Sequence, residues 1–72
     1  MFDVKVLLTN MKEYLKGINQ STNAILEILS KSEDTTLSKK KLKRIEYLVC
    51  RIEENLNLLK AELENYFEAL EQ

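Results

Sequence analysis

Two stretches of this chain carry apolar side chains at alternating spacings of four and three, and that periodicity limits the fold more than any other feature. In the first, Val4, Leu8, Met11, Leu15, Ile18, Thr22, Ile25 and Leu29 follow one another. In the second, Leu42, Ile45, Val49, Ile52, Leu56, Leu59, Leu63, Tyr66 and Leu70 do so without a polar interruption. A repeat averaging about 3.5 residues places such side chains on one stripe of a helix, the a and d seam of a coiled coil. Between the stripes runs KSEDTTLS (31–38), whose Ser, Thr and Asp favour caps and turns over helix interiors. The reading is all-α and a single domain: a first helix over about 3–32, a turn over about 33–38 and a second helix over about 39–71, forming an antiparallel two-helix, coiled-coil-like hairpin.

Local signals fit those boundaries. Asp3 and Ser38 stand where N-caps belong, with Phe2 placed to staple onto Leu7 and Leu37 onto Leu42. The segment KGINQSTN (16–23) is a weak helix former, and a break at Gly17 would give three helices. The seam runs through it uninterrupted, which favours one helix.

So short a connection makes the helices antiparallel neighbours. Pairing Leu29 with Ile45, Ile18 with Leu56 and Val4 with Leu70, each pair of numbers adding to 74, occupies both far ends and leaves the turn in the polar segment. A slip of one heptad would strand Tyr66 and Leu70. Charge runs the same way. Glu27, Glu33 and Asp34 fall near the basic start of the second helix, and Lys5, Lys12 and Lys16 near Glu62, Glu64, Glu68 and Glu71. Lys12 beside Lys60 is the one mismatch. Exposed pairs contribute only about 0–1 kcal/mol each, so charge selects orientation while the seam supplies stability.

Apolar residues outside the seam set the functional expectation. Leu7, Tyr14 and Ile28 on the first helix and Leu48 and Ala69 on the second occupy g positions, which share one side of an antiparallel hairpin. The stripe is then as broad as that of a bundle helix. This side is expected to be the partner interface, packing on a second copy to make a homodimeric four-helix bundle, or on a helical partner protein. A chain of 72 residues buries only about 60% of its unfolded surface, and with one Cys and no His neither a disulfide nor a metal adds to its core. No cofactor is expected.

Other function classes narrow quickly. Without His, acid–base work would fall to Lys, Asp, Glu or Tyr, and nothing indicates a pocket to shift their pKa values. Cys50 has Arg51 beside it but no His to activate it, so no catalytic residue and no enzyme are expected. No apolar run reaches the ~18–20 residues of a membrane span, MFDVKVLLTN lacks the basic region and cleavage site of a signal peptide, and a lone thiol suits a reducing compartment. A cytoplasmic protein with no membrane role is the expectation.

Net charge is −1, which argues against a polyelectrolyte that coats nucleic acid. The local exception is LSKKKLKRIEYLVC (37–50), where Lys39, Lys40, Lys41, Lys43 and Arg44 ring the opening turns of the second helix. They form no stripe, no aromatic stacking platform is evident beside them, and the helix dipole disfavours cations there by about 0.3–1 kcal/mol each. The expected function is a non-enzymatic protein–protein interaction module: a small adaptor, chaperone or regulatory subunit. The alternative is a nucleic-acid-associated regulator whose basic cluster contacts phosphate.

Overall fold

Heptad periodicity over two long segments gives two long helices. The computed structural model describes residues 3–32 and 37–71 and contains α1 (Val4–Lys31) and α2 (Lys39–Glu71), packed side by side and antiparallel. They make a rod of 55 × 15 × 15 Å. The expected Phe2 staple and the acidic pair Glu33 and Asp34 lie outside the described residues.

Each helix start has a side-chain cap. Asp3 is extended (φ −103°, ψ 108°), and its carboxylate accepts the Lys5 backbone N–H at 2.9 Å. Ser38 Oγ accepts the Lys41 backbone N–H at 3.2 Å. At the end of α1, Ser32 leaves the helix with an extended backbone, its N–H donating to the Leu29 carbonyl and its hydroxyl to the Ile28 carbonyl. These bonds absorb helix-terminal groups that would otherwise lack partners.

α1 passes through Gly17 without a break, because this position is a point of close approach. A Cβ there would sit 2.7 Å from Asn55 Nδ2 on α2. Glycine gives up about 1 kcal/mol of helix propensity and in return leaves room for the Asn55 amide. Ser21 and Ala24 continue the same small-residue line, and Ser21 is one of the few buried side chains, at 5% exposure.

The seam that closes the hairpin is therefore not the one expected. The two buried apolar residues among those described are Leu7 (5% exposed) and Leu48 (4%), and Tyr14, Ile28 and Ala69 are half-buried on the same columns, a column being residues seven apart. Residues assigned from sequence to an outer partner face thus join α1 to α2. Half-buried Met11, Ile18 and Ile25 on α1, with Ile45, Ile52, Leu59 and Tyr66 on α2, border this seam. The remaining column of each expected seam is turned outward. Register shifts with the rotation: Asn10 Nδ2 donates to Glu62 Oε1 at 3.3 Å and Gly17 faces Asn55, both pairs adding to 72.

The cause is side-chain size. Gly17, Ser21 and Ala24 let the helices approach closely, whereas the bulkier Leu8, Leu15 and Leu29 would hold them apart. Expected ion pairs between the helices are also replaced. Among the described residues the ion pairs are local to α1, Lys16 with Glu13 and Lys31 with Glu27, while Glu62 receives the Asn10 amide.

Candidate protein interaction face

Rotation of the helices places two leucine-rich columns on one side of the rod. On α1 these are Leu8, Leu15, Thr22 and Leu29; on α2 they are Leu42, Val49, Leu56, Leu63 and Leu70. In an antiparallel pair, columns displaced in the same rotational sense from the seam emerge on the same side, so the two sets lie next to each other. The half-buried column that borders the seam floors the space between them. Exposure is high throughout, from 38% at Leu63 through 52% at Leu56 to 64% at Leu70. Thr22 is the one polar member, and its hydroxyl is turned back onto the Ile18 carbonyl at 2.8 Å. What remains is an apolar strip running the length of the rod.

Its rims are mostly polar and unevenly charged, with apolar Leu26 and Phe67 as exceptions. Along α1 the outer edge reads Lys5, Lys12, Asn19 and Leu26; along α2 it reads Glu46, Glu53, Lys60 and Phe67, all exposed. An apolar strip flanked by charged residues is the anatomy of a protein interface, whose apolar centre is desolvated once a partner covers it. The strip far exceeds the scattered apolar exposure normal for a monomer.

Of the residues named from sequence as the partner interface, Leu7, Tyr14, Ile28, Leu48 and Ala69 are brought together, but against each other across the hairpin. The open face is carried instead by residues that the heptad pattern placed inside. Their signal was present in the sequence as an apolar arc of three adjacent columns, wider than one helix partner can cover.

The basic cluster lies near the turn, and Lys39, Lys40, Lys41, Lys43 and Arg44 are all exposed; Lys39 continues the α2 rim of the leucine face, whereas Lys41 and Arg44 face the other side of the rod. The structure divides them. Lys41 and Arg44 line a shallow cleft of about 310 Å³ with Lys31 and Glu27, over a floor of Ala24 and Ile28. An adjoining cleft of about 260 Å³ shares Arg44 and adds Arg51, Tyr47 and Gln20. Lys39, Lys40 and Lys43 line neither. Lys31, Arg51 and Tyr47 were not linked to the cluster from sequence, because only the hairpin register brings α1 beside it. The Arg44 guanidinium stands 5.4 Å from the centre of the Tyr47 ring, a cation–π arrangement. Within the cleft the Lys31 ammonium, hydrogen-bonded at 2.7 Å, lowers the Glu27 pKa below its ordinary value, and Glu27 raises that of Lys31.

Cys50 is exposed. Among the described residues no group of three or more His, Cys, Asp or Glu side chains is placed to hold a metal ion. No described helix is long and apolar enough to cross a membrane. No protein-family model matches the chain, and no curated protein and no solved structure matches it either.

Proposed function

We propose that this protein is a non-enzymatic protein–protein interaction module, and that its working surface is the open leucine face. The observation that carries the reading is the column Leu8, Leu15, Leu29 on α1 beside Leu42, Val49, Leu56, Leu63, Leu70 on α2, exposed along the whole rod. Leaving side chains of this size in water costs about 1.5–3 kcal/mol each relative to full burial. A partner that covers them recovers that energy. The shape it must match is helical: a strip some 50 Å long, as 33 residues of helix provide, accepts one or two helices along its axis. The chain would thus act as an adaptor, chaperone or regulatory subunit by completing a helical bundle.

The test is site-specific photo-cross-linking in the native cell. A photoreactive residue at Leu56, in the middle of the face, is expected to give covalent adducts with a protein. The same residue at Glu54, on the far side of α2, is expected to give few. No adduct at 56, or equal adducts at both positions, overturns the reading.

A second reading has its own observation. Lys31, Lys41, Arg44 and Arg51 share a groove with Tyr47 and a single carboxylate, Glu27. That groove suits a phosphate-bearing partner, with the aromatic ring available for stacking. Labelled duplex DNA and single-stranded RNA, titrated by fluorescence anisotropy over a salt series, test it. Affinity falling with a log–log slope of about −0.7 to −0.9 per contact, and lost on replacing Lys41 and Arg44 with Gln, supports it. Absence of binding at low salt removes it.

A further inference from the structure

We infer that the occupant of the leucine face is a second copy of this chain, related by a two-fold axis perpendicular to the rod, so that the two turns lie at opposite ends. The inference rests on reading that face as an interaction surface and adds the identity and orientation of the partner.

Area points to a partner as large as the chain itself. A folded monomer of 8.5 kDa is expected to expose about 4,700 Å². This one exposes 6095 Å², an excess of about 1,400 Å². A standard interface removes about 800 Å² per partner, and homodimers often more. Covering the face with one short helix would leave much of the excess in water.

Self-complementarity points to a copy. A two-fold interface must match itself, residue by residue, about the axis. On α2 the exposed column is symmetric about Leu56: Val49 and Leu63 lie seven residues to either side, and Leu42 and Leu70 fourteen. Packed antiparallel on its own copy, α2 sets leucine-type residues against one another throughout. Its rim then places Glu53 opposite Lys60 of the other chain, twice per dimer. On α1 the same axis passes near Leu15 and opposes Leu8 to Thr22, Lys12 to Asn19 and Lys5 to Leu26, with no like charges meeting; the counterpart of Leu29 lies outside the described residues.

The position of the axis on α1 follows from that on α2, because the hairpin register that joins Gly17 to Asn55 and Asn10 to Glu62 puts Leu15 and Leu56 at nearly the same height. One axis therefore serves both helices. The other two-fold arrangement, with the axis along the rod and both turns at one end, would lay the α1 rim on the α2 rim of the copy. At that register Lys12 meets Lys60 and Leu26 meets Glu46, so charge opposes it.

Reversal of a single rim charge separates the alternatives, because its effect changes sign. Lys60→Glu sets two carboxylates against each other in the proposed dimer, the new one and that of Glu53, and is expected to weaken it about tenfold at low salt. Glu53→Lys combined with Lys60→Glu restores it. In the turns-together dimer, Lys60→Glu would meet Lys12 and tighten association. Sedimentation equilibrium of the purified chain reads both, with helicity monitored to show that the exposed substitutions leave the fold intact. Spin labels at position 40 in a Cys50→Ser background then measure orientation: about 50 Å apart when the turns are at opposite ends, and under about 30 Å when they are together.

Tightening by Lys60→Glu, or the short distance, overturns the orientation. A chain that stays at 8.5 kDa at high micromolar concentration overturns self-association. If position 56 still cross-links to a different protein in that case, the interaction face stands and only its occupant changes; if it gives no adduct, both fall.

Discussion

The seam between the two helices carries more polar side chains than the open leucine face does. Across the closed seam lie Asn10, Gly17, Ser21, Asn55 and Glu62, together with half-buried Tyr14, Ile28 and Ala69 and with Leu7 and Leu48, the two buried apolar residues among those described. Across the open face, seven residues apart, lie Leu8, Leu15, Thr22 and Leu29, then Leu42, Val49, Leu56, Leu63 and Leu70, with Thr22 the one polar member. In a monomer the order should be reversed, since burial is where apolar side chains return most. The inversion teaches that the hairpin seam serves to hold two helices close and in register, while the larger apolar area is reserved for what comes next. Overall shape agrees: a radius of gyration of 16.6 Å against about 11 Å for a compact chain of this length describes an elongated rod with little interior of its own.

The sharpest way to break that comparison is to remove one leucine from each side. Leu48→Ala empties a buried site between the helices and is expected to cost about 2–3 kcal/mol, the low end for such truncations because so thin a core can partly collapse. The loss should be the same at every protein concentration. Leu56→Ala removes a side chain that is 52% exposed in the hairpin. Its cost should be within about 0.5 kcal/mol in dilute solution and should grow as the chain associates. Urea denaturation followed by helicity, at two concentrations a hundredfold apart, measures both. A concentration-independent cost at Leu56 equal to that at Leu48 would mean the two sides are alike.

Legibility from sequence follows the same division. The two helices, their antiparallel course and the caps at Asp3 and Ser38 could be read because each depends on local residue types and on periodicity. The apolar arc could be read as well, since Leu7, Leu8 and Met11 already mark its three columns on α1. Which column faces the neighbouring helix could not. A heptad pattern gives the width of the arc, about 100°, and places the a and d positions inward by convention. The deciding residues were Gly17, Ser21 and Ala24, whose poor helix propensity or small size looked like weakness along the chain. Their value is visible only when α2 is beside them. For the same reason the basic cleft gains Lys31 from a different helix, whereas the five consecutive-looking cations Lys39 to Arg44 are split up.

Gly17 and Asn55 offer a finer probe of the closed seam. Gly17→Ala alone should gain little, because the new Cβ meets the Asn55 amide at 2.7 Å and displaces it from its bond to the Arg51 carbonyl. In an Asn55→Ala background the obstacle is gone, and Gly17→Ala should stabilise by about 1 kcal/mol, the full helix-propensity difference. A double-mutant cycle on thermal or urea unfolding reports the coupling. Additive effects would show that the helices do not approach each other as closely here as the seam requires.

The smallest expected effect concerns the pair Glu27–Lys31, which borders the basic cleft and touches neither apolar surface. Glu27 precedes Lys31 by one helical turn, the favourable order, and Lys31 sits in the last turn of α1, where the helix dipole favours a cation. Hydrogen bonding and the Lys31 charge lower the Glu27 pKa from its ordinary 4.5, so the pair stabilises the fold fully above the unfolded carboxylate range and ceases to do so as pH falls through the lowered folded value. On the alkaline side, Glu27 raises the Lys31 pKa from its ordinary 10.5, so the contribution is present below that value and is lost as pH rises through the raised one. Both groups are exposed and screened by solvent. Glu27→Gln should therefore lower the melting temperature slightly at neutral pH, leave it unchanged once the carboxylate is protonated, and lose its effect in about 1 M salt, where the Debye length is about 3 Å. The open face should respond in the opposite sense to salt, since burial of leucines is strengthened by excluded salts such as sulfate. An equal Glu27→Gln effect at acid and neutral pH would show that this residue acts through packing over Ile28, and would join the back of the rod to its apolar seam.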